Sequence, residues 1–294
     1  MKFSLFSKPS LIGLDVQPDA IRLIQLKKNK EAYEIEQRLS QPLADEIFAE
    51  DKIKHFDRLR LVLSDLVIEH RLMGQAVAVS LPANLVRMQR IQVPTGLTES
   101  EVEAEIHAHL QNDLPGLNDA LCMDFTRLPS VTKDYTEVFF AAARKEYLLQ
   151  YVECVQAAGL QVKGVDVESY ALKRAVCFLA QWPDITQEAN SILYLTPQTA
   201  TLIIFHSQEI GFYQHWDLME PVDFLSQLKH YLQLFLTTFR HFTLQKLLVC
   251  GCDRYFDLIF NAQADLKIHV MSLDMTCPHD FLIAYGLAMR VTSL

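Results

Sequence analysis

The chain predicts an α/β protein of two similar lobes, one of them interrupted by a small β-α-β-β unit. Three observations carry this. A strand–hairpin–strand segment occurs twice, as IGLDVQPDAIRLIQLK at 12–27 and SILYLTPQTATLIIFH at 191–206. Superposed, Asp15 meets Tyr194, Gln17 meets Thr196, Pro18 meets Pro197 and Leu23 meets Leu202, so one supersecondary unit is used twice about 180 residues apart. Each copy is followed by a third strand and then an amphipathic helix. Between them, residues 83–144 read as a self-contained insertion.

In the first lobe, Leu11–Val16, Ile21–Lys27 and Tyr33–Arg38 read as consecutive strands, joined by Pro18-Asp19 and the polar Lys27–Lys30 turn. Phe56–His70 is a helix, with Phe56, Leu59, Leu63, Leu66 and Val67 at helical spacing. Ala76–Leu81 is a short apolar strand. Three strands, a helix and a strand form an RNase H-like core of the kind found in the actin superfamily.

The insertion opens with the alternating strand Val86–Val93. Thr98 and Glu101 make a capping box for a helix carrying Val102, Ile106 and Leu110 on one stripe, stopped at Leu114-Pro115-Gly116. Strands Leu121–Leu128 and Thr136–Ala143 complete it. Helix Lys145–Ala158 ends at Gly159, strand Gln161–Val167 follows, and helix Tyr170–Ala180 crosses to the second lobe. That lobe reads as strands Ser191–Leu195, Thr199–His206 and Glu209–His215, a helix from Pro221 to about Phe242, strand Lys246–Cys250, helix Arg254–Asn261, strand Leu266–Val270 and helix Asp280–Val291. A single helix between its third and fourth strands marks the second lobe as reduced. The expected division is 1–82 with 145–188 as the core of lobe one, 83–144 as an inserted subdomain, and 189–294 as lobe two.

Composition narrows the function. Of 294 residues only nine are glycine, which argues against glycine-dependent phosphate loops. A net charge of −9 disfavours nucleic acid and anionic lipid as partners. The six cysteines lack paired CxxC spacing; Cys250-Gly-Cys252 reads as a strand end in preference to a metal site, and the pattern fits a reducing cytosol. No segment reads as a bilayer span, and MKFSLFSKPS has too short an apolar core for a signal peptide. Phe3, Leu5 and Phe6 in that head either pack or offer an interaction. His107 and His109, two apart on a helix, face different ways and do not chelate as a pair. Glu99, Glu101, Glu103 and Glu105 read as a solvated helix face.

The stretch VFFAAARKEYLLQYVECVQAAGLQVKGVDVESYALKRAV, Val138 to Val176, resembles the PilM family of type IV pilus assembly proteins. Ala141–Lys145, Ala158-Gly159-Leu160 and Val165–Leu172 with Arg174 carry the likeness, with Gly13-Leu14-Asp15-Val16, the strand Val86–Val93 and Ala284–Ala288 in support. The resemblance implies a two-lobed, actin-like fold (a duplicated RNase H-like fold) related to the cell-division protein FtsA. It also implies a cytoplasmic protein, peripheral on the inner membrane. Such a protein grips the cytosolic N-terminal tail of a PilN-like membrane partner between lobe one and the insertion, and links it to the pilus motor ATPase or platform protein. A homo-oligomer is left open.

Whether nucleotide is used turns on the two hairpins. Phosphate cradles need main-chain N–H groups at close range, which glycine permits. The family's first loop reads Gly-(Ser/Thr)-Ser after the Asp; here Gln17-Pro18-Asp19 removes an N–H and places a carboxylate at the phosphate position. In the second, Tyr194 and Thr196 stand where the family has Asp and Gly, and Tyr194 cannot position a metal-bound water as a carboxylate would. Arg22 is either a remnant of the site or an exposed strand residue. Asp15 and Asp166 either hold Mg²⁺ through water or satisfy local backbone, and Gly251 and Gly286 remain of the adenine side. The degenerate ATP site is thus Asp15, Gln17, Arg22, Asp166, Thr196, Gly251 and Gly286, with no catalytic residue and no metal. No cofactor is expected, with Mg-ATP as the second reading.

The expected function is a non-enzymatic scaffold, a pseudo-ATPase. The alternative is an ATP-binding actin-like switch or weak ATPase. With the insertion's helix turned onto its own sheet, the neighbouring strand is available to a peptide, through Arg87, Met88, Arg90 and Gln92.

Overall fold

A computed structural model describes residues 11–29, 32–49, 52–113, 121–128, 133–182, 188–206, 209–218, 220–240, 242–273 and 277–290. The N-terminal head, the Leu114-Pro115-Gly116 stop and the end of the last predicted helix at Val291 lie outside the described residues.

Lobe one is built from β1 (Ile12–Val16), β2 (Ala20–Asn29), β3 (Ala32–Pro42), a small hairpin β4 (Phe48–Ala49) and β5 (Lys52–Ile53), helix α1 (Phe56–Glu69) and β6 (Ala76–Leu81). The insertion contributes β7 (Val86–Pro94), α2 (Glu99–Asp113), β8 (Leu121–Arg127) and β9 (Tyr135–Arg144). Then come α3 (Lys145–Ala157), β10 (Gln161–Val167) and α4 (Glu168–Leu179). Lobe two runs β11 (Glu188–Leu195), β12 (Thr199–His206), β13 (Glu209–Asp217), α5 (Pro221–Thr238), β14 (Thr243–Gly251), α6 (Phe256–Asn261), α7 (Gln263–Leu266), β15 (His269–Ser272) and α8 (Leu282–Ala288).

The two large sheets have the same order. One is β3-β2-β1-β6-β10 and the other β13-β12-β11-β14-β15, with the first three strands antiparallel and the last two parallel to the first. The correspondence extends to single hydrogen bonds. Gln17 N–H donates to the Ala20 carbonyl at 3.0 Å and Thr196 N–H to that of Thr199 at 2.9 Å; Leu43 N–H reaches Asp19 and Leu218 N–H reaches Gln198. Gln17 with Thr196, Asp19 with Gln198 and Ala20 with Thr199 are pairs that the sequence superposition predicts.

Alternation along β1 sends Ile12, Leu14 and Val16 to one face and Gly13 and Asp15 to the other. The outer face packs on α1 and α3, through Leu59, Leu63, Val67, Tyr151 and Val155. The outer face of the second sheet packs on α5 and α6 through Phe224, Leu228, Phe235 and Ile259. Between the inner faces lie α4 and α8, so that Ile24, Ala171, Leu172, Ile203, Leu282 and Leu287 share one apolar core. The layers are therefore helices, sheet, helices, sheet, helices.

The expected lobe two, 189–294, includes α8, and α8 lies against β1 and β2 of lobe one and against α4. A Cβ on Gly13 would come within 1.8 Å of the Ala284 carbonyl oxygen, and one on Gly286 within 1.9 Å of that of Ala171. Only glycine permits backbones this close.

Other differences are local. The β4–β5 hairpin is too short to leave a periodic signal. Helix α4 starts at Glu168, two residues earlier than the apolar stripe indicates, and α5 stops at Thr238, short of Phe242. Lys267 takes a left-handed turn (φ 54°) after α7, which shifts β15 to His269–Ser272 from the expected 266–270. The last helix begins with a 3₁₀ turn, His279–Phe281. In the insertion, the capping box forms: Thr98 N–H donates to Glu101 Oε2 at 2.7 Å and Glu101 N–H to Thr98 Oγ1 at 3.4 Å. Val102, Ile106 and Leu110 are buried against their own sheet, ordered β7-β9-β8. Among the described residues no helix is long and apolar enough to cross a membrane.

Candidate functional site

The inner ends of the two hairpins face each other across a cleft of about 650 Å³. Gln17, Pro18 and Asp19 form one lip and Thr196, Pro197 and Gln198 the other. Gly251, Cys252 and Asp253 after β14, and Pro278, His279 and Asp280 before α8, close the sides.

The duplicated register puts four side chains at matching points on the inner faces. Asp15 pairs with Arg22 across β1 and β2, and Tyr194 with Thr201 across β11 and β12. Asp15 is 1% exposed. Its Oδ1 accepts from Gln17 Nε2 at 2.9 Å and Ser80 Oγ at 3.4 Å, while Oδ2 has no partner. Burial pushes its carboxyl up to about 6, partly offset by the Gln17 hydrogen bond and the Arg22 charge. Burial also pushes the Tyr194 phenol well up.

Arg22 is not the exposed strand residue of one sequence reading, being 9% exposed. It turns back on its own hairpin and grips Asp19 with two terminal nitrogens, with Nε 3.8 Å from Asp280 Oδ2. Its charge is thus committed within the protein.

The hairpin amides are committed too. Gln17 N–H closes its turn, and Pro18 and Pro197 have none to offer. In the second turn, Thr196 Oγ1 accepts from Gln198 N–H at 3.3 Å and Thr199 N–H at 2.9 Å, a side-chain cap occupying donors a phosphate would need.

The remaining residues of the proposed ATP site divide. Gly251 lines the cleft at φ 102°, where a Cβ would strike the Leu195 carbonyl oxygen at 2.0 Å. Its N–H donates to His279 Nδ1 at 2.9 Å. Asp166 and Gly286 lie elsewhere. Asp166 binds Arg174 Nη2 at 2.5 Å and accepts from Val167 N–H at 2.8 Å, and Arg174 Nε donates to the Gly286 carbonyl at 2.8 Å. This pair ties β10, α4 and α8 together and neither residue lines the cleft. Cys250 is buried in the core between the lobes and its thiol is pushed up by burial, whereas Cys252 lines the cleft.

The predicted peptide-binding strand, β7, is an edge of the insertion's sheet. Ile91 and Val93 turn to α2, which places Met88, Arg90 and Gln92 on the opposite face. Arg87 is exposed on the α2 side of the alternation. On the face with Arg90, its cross-strand partner Phe139 brings its ring 6.2 Å from that of Tyr170 in α4. That contact sets this face against lobe one. Sequence reading missed Phe139 and Tyr170 as this wall, because each sits in a run that reads simply as core strand or crossing helix.

Comparison with known proteins places the architecture. A chain of the PilM-PilN type IV pilus biogenesis complex superposes with a TM-score of 0.80 over 96% of this chain and 98% of that one, at 17% identity. A Bacteroides thetaiotaomicron protein with an actin-like ATPase fold matches at 0.58, with 12% identity over 99% and 100% of the two chains. The cytoplasmic domain of EpsL, an inner membrane component of the Vibrio cholerae type II secretion system, matches at 0.54, with 12% identity over 94% and 92%. The fold is therefore actin-like. The sequence model of the type IV pilus assembly protein PilM matches residues 13–218, well over half of the chain, across most of lobe one, the insertion and the start of lobe two. By that match the chain belongs to the PilM family of type IV pilus assembly proteins.

Proposed function

We propose that this protein is a non-enzymatic scaffold of a type IV pilus or related secretion or DNA-uptake machine. It grips the cytosolic N-terminal peptide of a PilN-like inner-membrane protein and couples that protein to the pilus motor or platform. In this reading it is cytoplasmic and held at the inner membrane by its partner. Family membership supports the assignment, as does the likeness to a chain from a complex that contains PilN.

One observation argues most directly against nucleotide chemistry: Arg22 and the second turn's amides, which would face a triphosphate, already have partners. Arg22 is bound to Asp19, and the second turn's amides are bound to Thr196 Oγ1. Displacing them would expose buried polar groups and bring phosphate beside Asp19 and Asp280. The peptide would lie along Met88, Arg90 and Gln92, against the Phe139–Tyr170 wall, where an extended segment can add main-chain hydrogen bonds at the edge of β7.

The experiment is a pair of titrations on the full chain, one with a labelled N-terminal peptide of the PilN-like partner and one with Mg-ATP. Saturable peptide binding without a nucleotide signal is expected. Nucleotide binding with no peptide binding would overturn the proposal.

A further inference from the structure

The cleft continues downward into a second, smaller cavity of about 30 Å³, room for one or two water-sized groups. Its wall is mixed: Leu172, Ile283, Tyr194 and His215 stand among side chains that carry oxygen. Ser169, in the first turn of α4, is 1% exposed and its Oγ has no hydrogen-bond partner. Glu168 brings a carboxylate beside it, Thr196 and Thr199 bring hydroxyls, and Gln17, whose amide nitrogen is on Asp15, keeps its amide oxygen as an acceptor. At the mouth stand Asp19, Asp253 and Asp280. Against these four carboxylates the wider cleft has one guanidinium, Arg22, and Asp19 holds it. Carboxylates thus outnumber cations around the cleft, while the hydroxyls of the lower tier can either donate or accept.

We propose that this two-tier cleft is a receptor for the primary alkylammonium group of a small polyamine. An ammonium presents three donors and one positive charge at about the size of a water. Seated in the lower cavity, it gives Ser169 Oγ its missing partner and meets the Glu168 carboxylate in a charge-assisted hydrogen bond. The aliphatic chain then runs up past Pro18, Pro197 and Pro278, and the remaining amines reach the acidic mouth. The positive end of α4 opposes a cation at this point, and Glu168 in its first turn offsets it. The same features repel a triphosphate, so the site is distinct in charge and floor from a nucleotide pocket. It is also separate from the peptide strand β7.

The test is calorimetric titration of the full chain with spermidine at pH 8 and at 150 mM salt, which screens diffuse attraction to an acidic protein. One saturable site is expected. Glu168→Gln and Ser169→Ala, each checked for an unchanged circular-dichroism melt, should weaken it about tenfold or more. Fully N-methylated spermidine, which keeps the charges but loses its N–H groups, should bind at least about tenfold more weakly as well. Weak multi-site heat that disappears with salt, or equal binding of both amines, or wild-type affinity in both variants, would overturn the proposal.

Discussion

Arg22 and Asp19 form a two-pronged ion pair across three residues of one hairpin, Nη1 to Oδ1 at 3.0 Å and Nη2 to Oδ2 at 2.5 Å. The guanidinium is buried while the carboxylate is half exposed to water. Removing the acid therefore strands a buried charge, although solvent at Asp19 softens the loss. Asp19→Ala should lower the unfolding free energy by about 1–2 kcal/mol, read by urea titration. It should not create Mg-ATP affinity, because Thr196 still ties the opposite turn. A nucleotide signal from this variant alone would show that Asp19 was the sole barrier.

Asp15 offers a test with a definite sign. Its folded-state value of about 6 lies above the ordinary 3.8, so the native state holds the proton more tightly than the unfolded chain. That contribution is fully present below pH about 4 and is lost as pH rises through about 6. Asp15→Asn should flatten the pH dependence of stability across this window. At pH 8 it should be more stable than wild type by about 2–3 kcal/mol, from a shift of about two pH units. Matched denaturant curves at pH 4, 6 and 8 measure the difference.

Gly13 predicts a steric outcome. With the Ala284 carbonyl 1.8 Å from where its Cβ would stand, Gly13→Ala forces α8 off β1. A loss of about 2–3 kcal/mol is expected from overpacking, by thermal or chemical unfolding. Gly211→Ala, where the nearest atom is at 4.0 Å, should be close to neutral and serves as the control.

For the peptide groove, Arg90→Glu and Met88→Glu should weaken binding of the PilN-like peptide about tenfold or more by fluorescence anisotropy. Their melting curves should overlay wild type, since neither residue is in the buried core. Equal affinity in both variants would move the groove elsewhere.

The repeated hairpin made the duplicated topology legible, because equivalent residues lie on matching rungs of the two sheets. The capping box and the Val102–Ile106–Leu110 stripe likewise announced α2 and its facing. The sequence did not disclose where α8 would go. An apolar helix at the end of lobe two reads the same whether it covers its own sheet or the other, and only Gly13 and Gly286 hinted at a close approach. Site residues were harder still. Asp166 and Gly286 fit the family pattern by position, but the partnership of Arg174 with both draws them into the scaffold. Ser169 gave no signal, since its interest lies wholly in the hydrogen bond it lacks.

The return of α8 to the first sheet has a consequence for biogenesis. A nascent chain emerging from the ribosome could form strands β1 to β10 and α4 early, yet the part of that sheet's inner face over β1 and β2 that α8 covers stays bare until residue 288 has been made. Neither half can therefore mature alone. Lesions near the far end of the chain should surface as proteolytic sensitivity near its beginning.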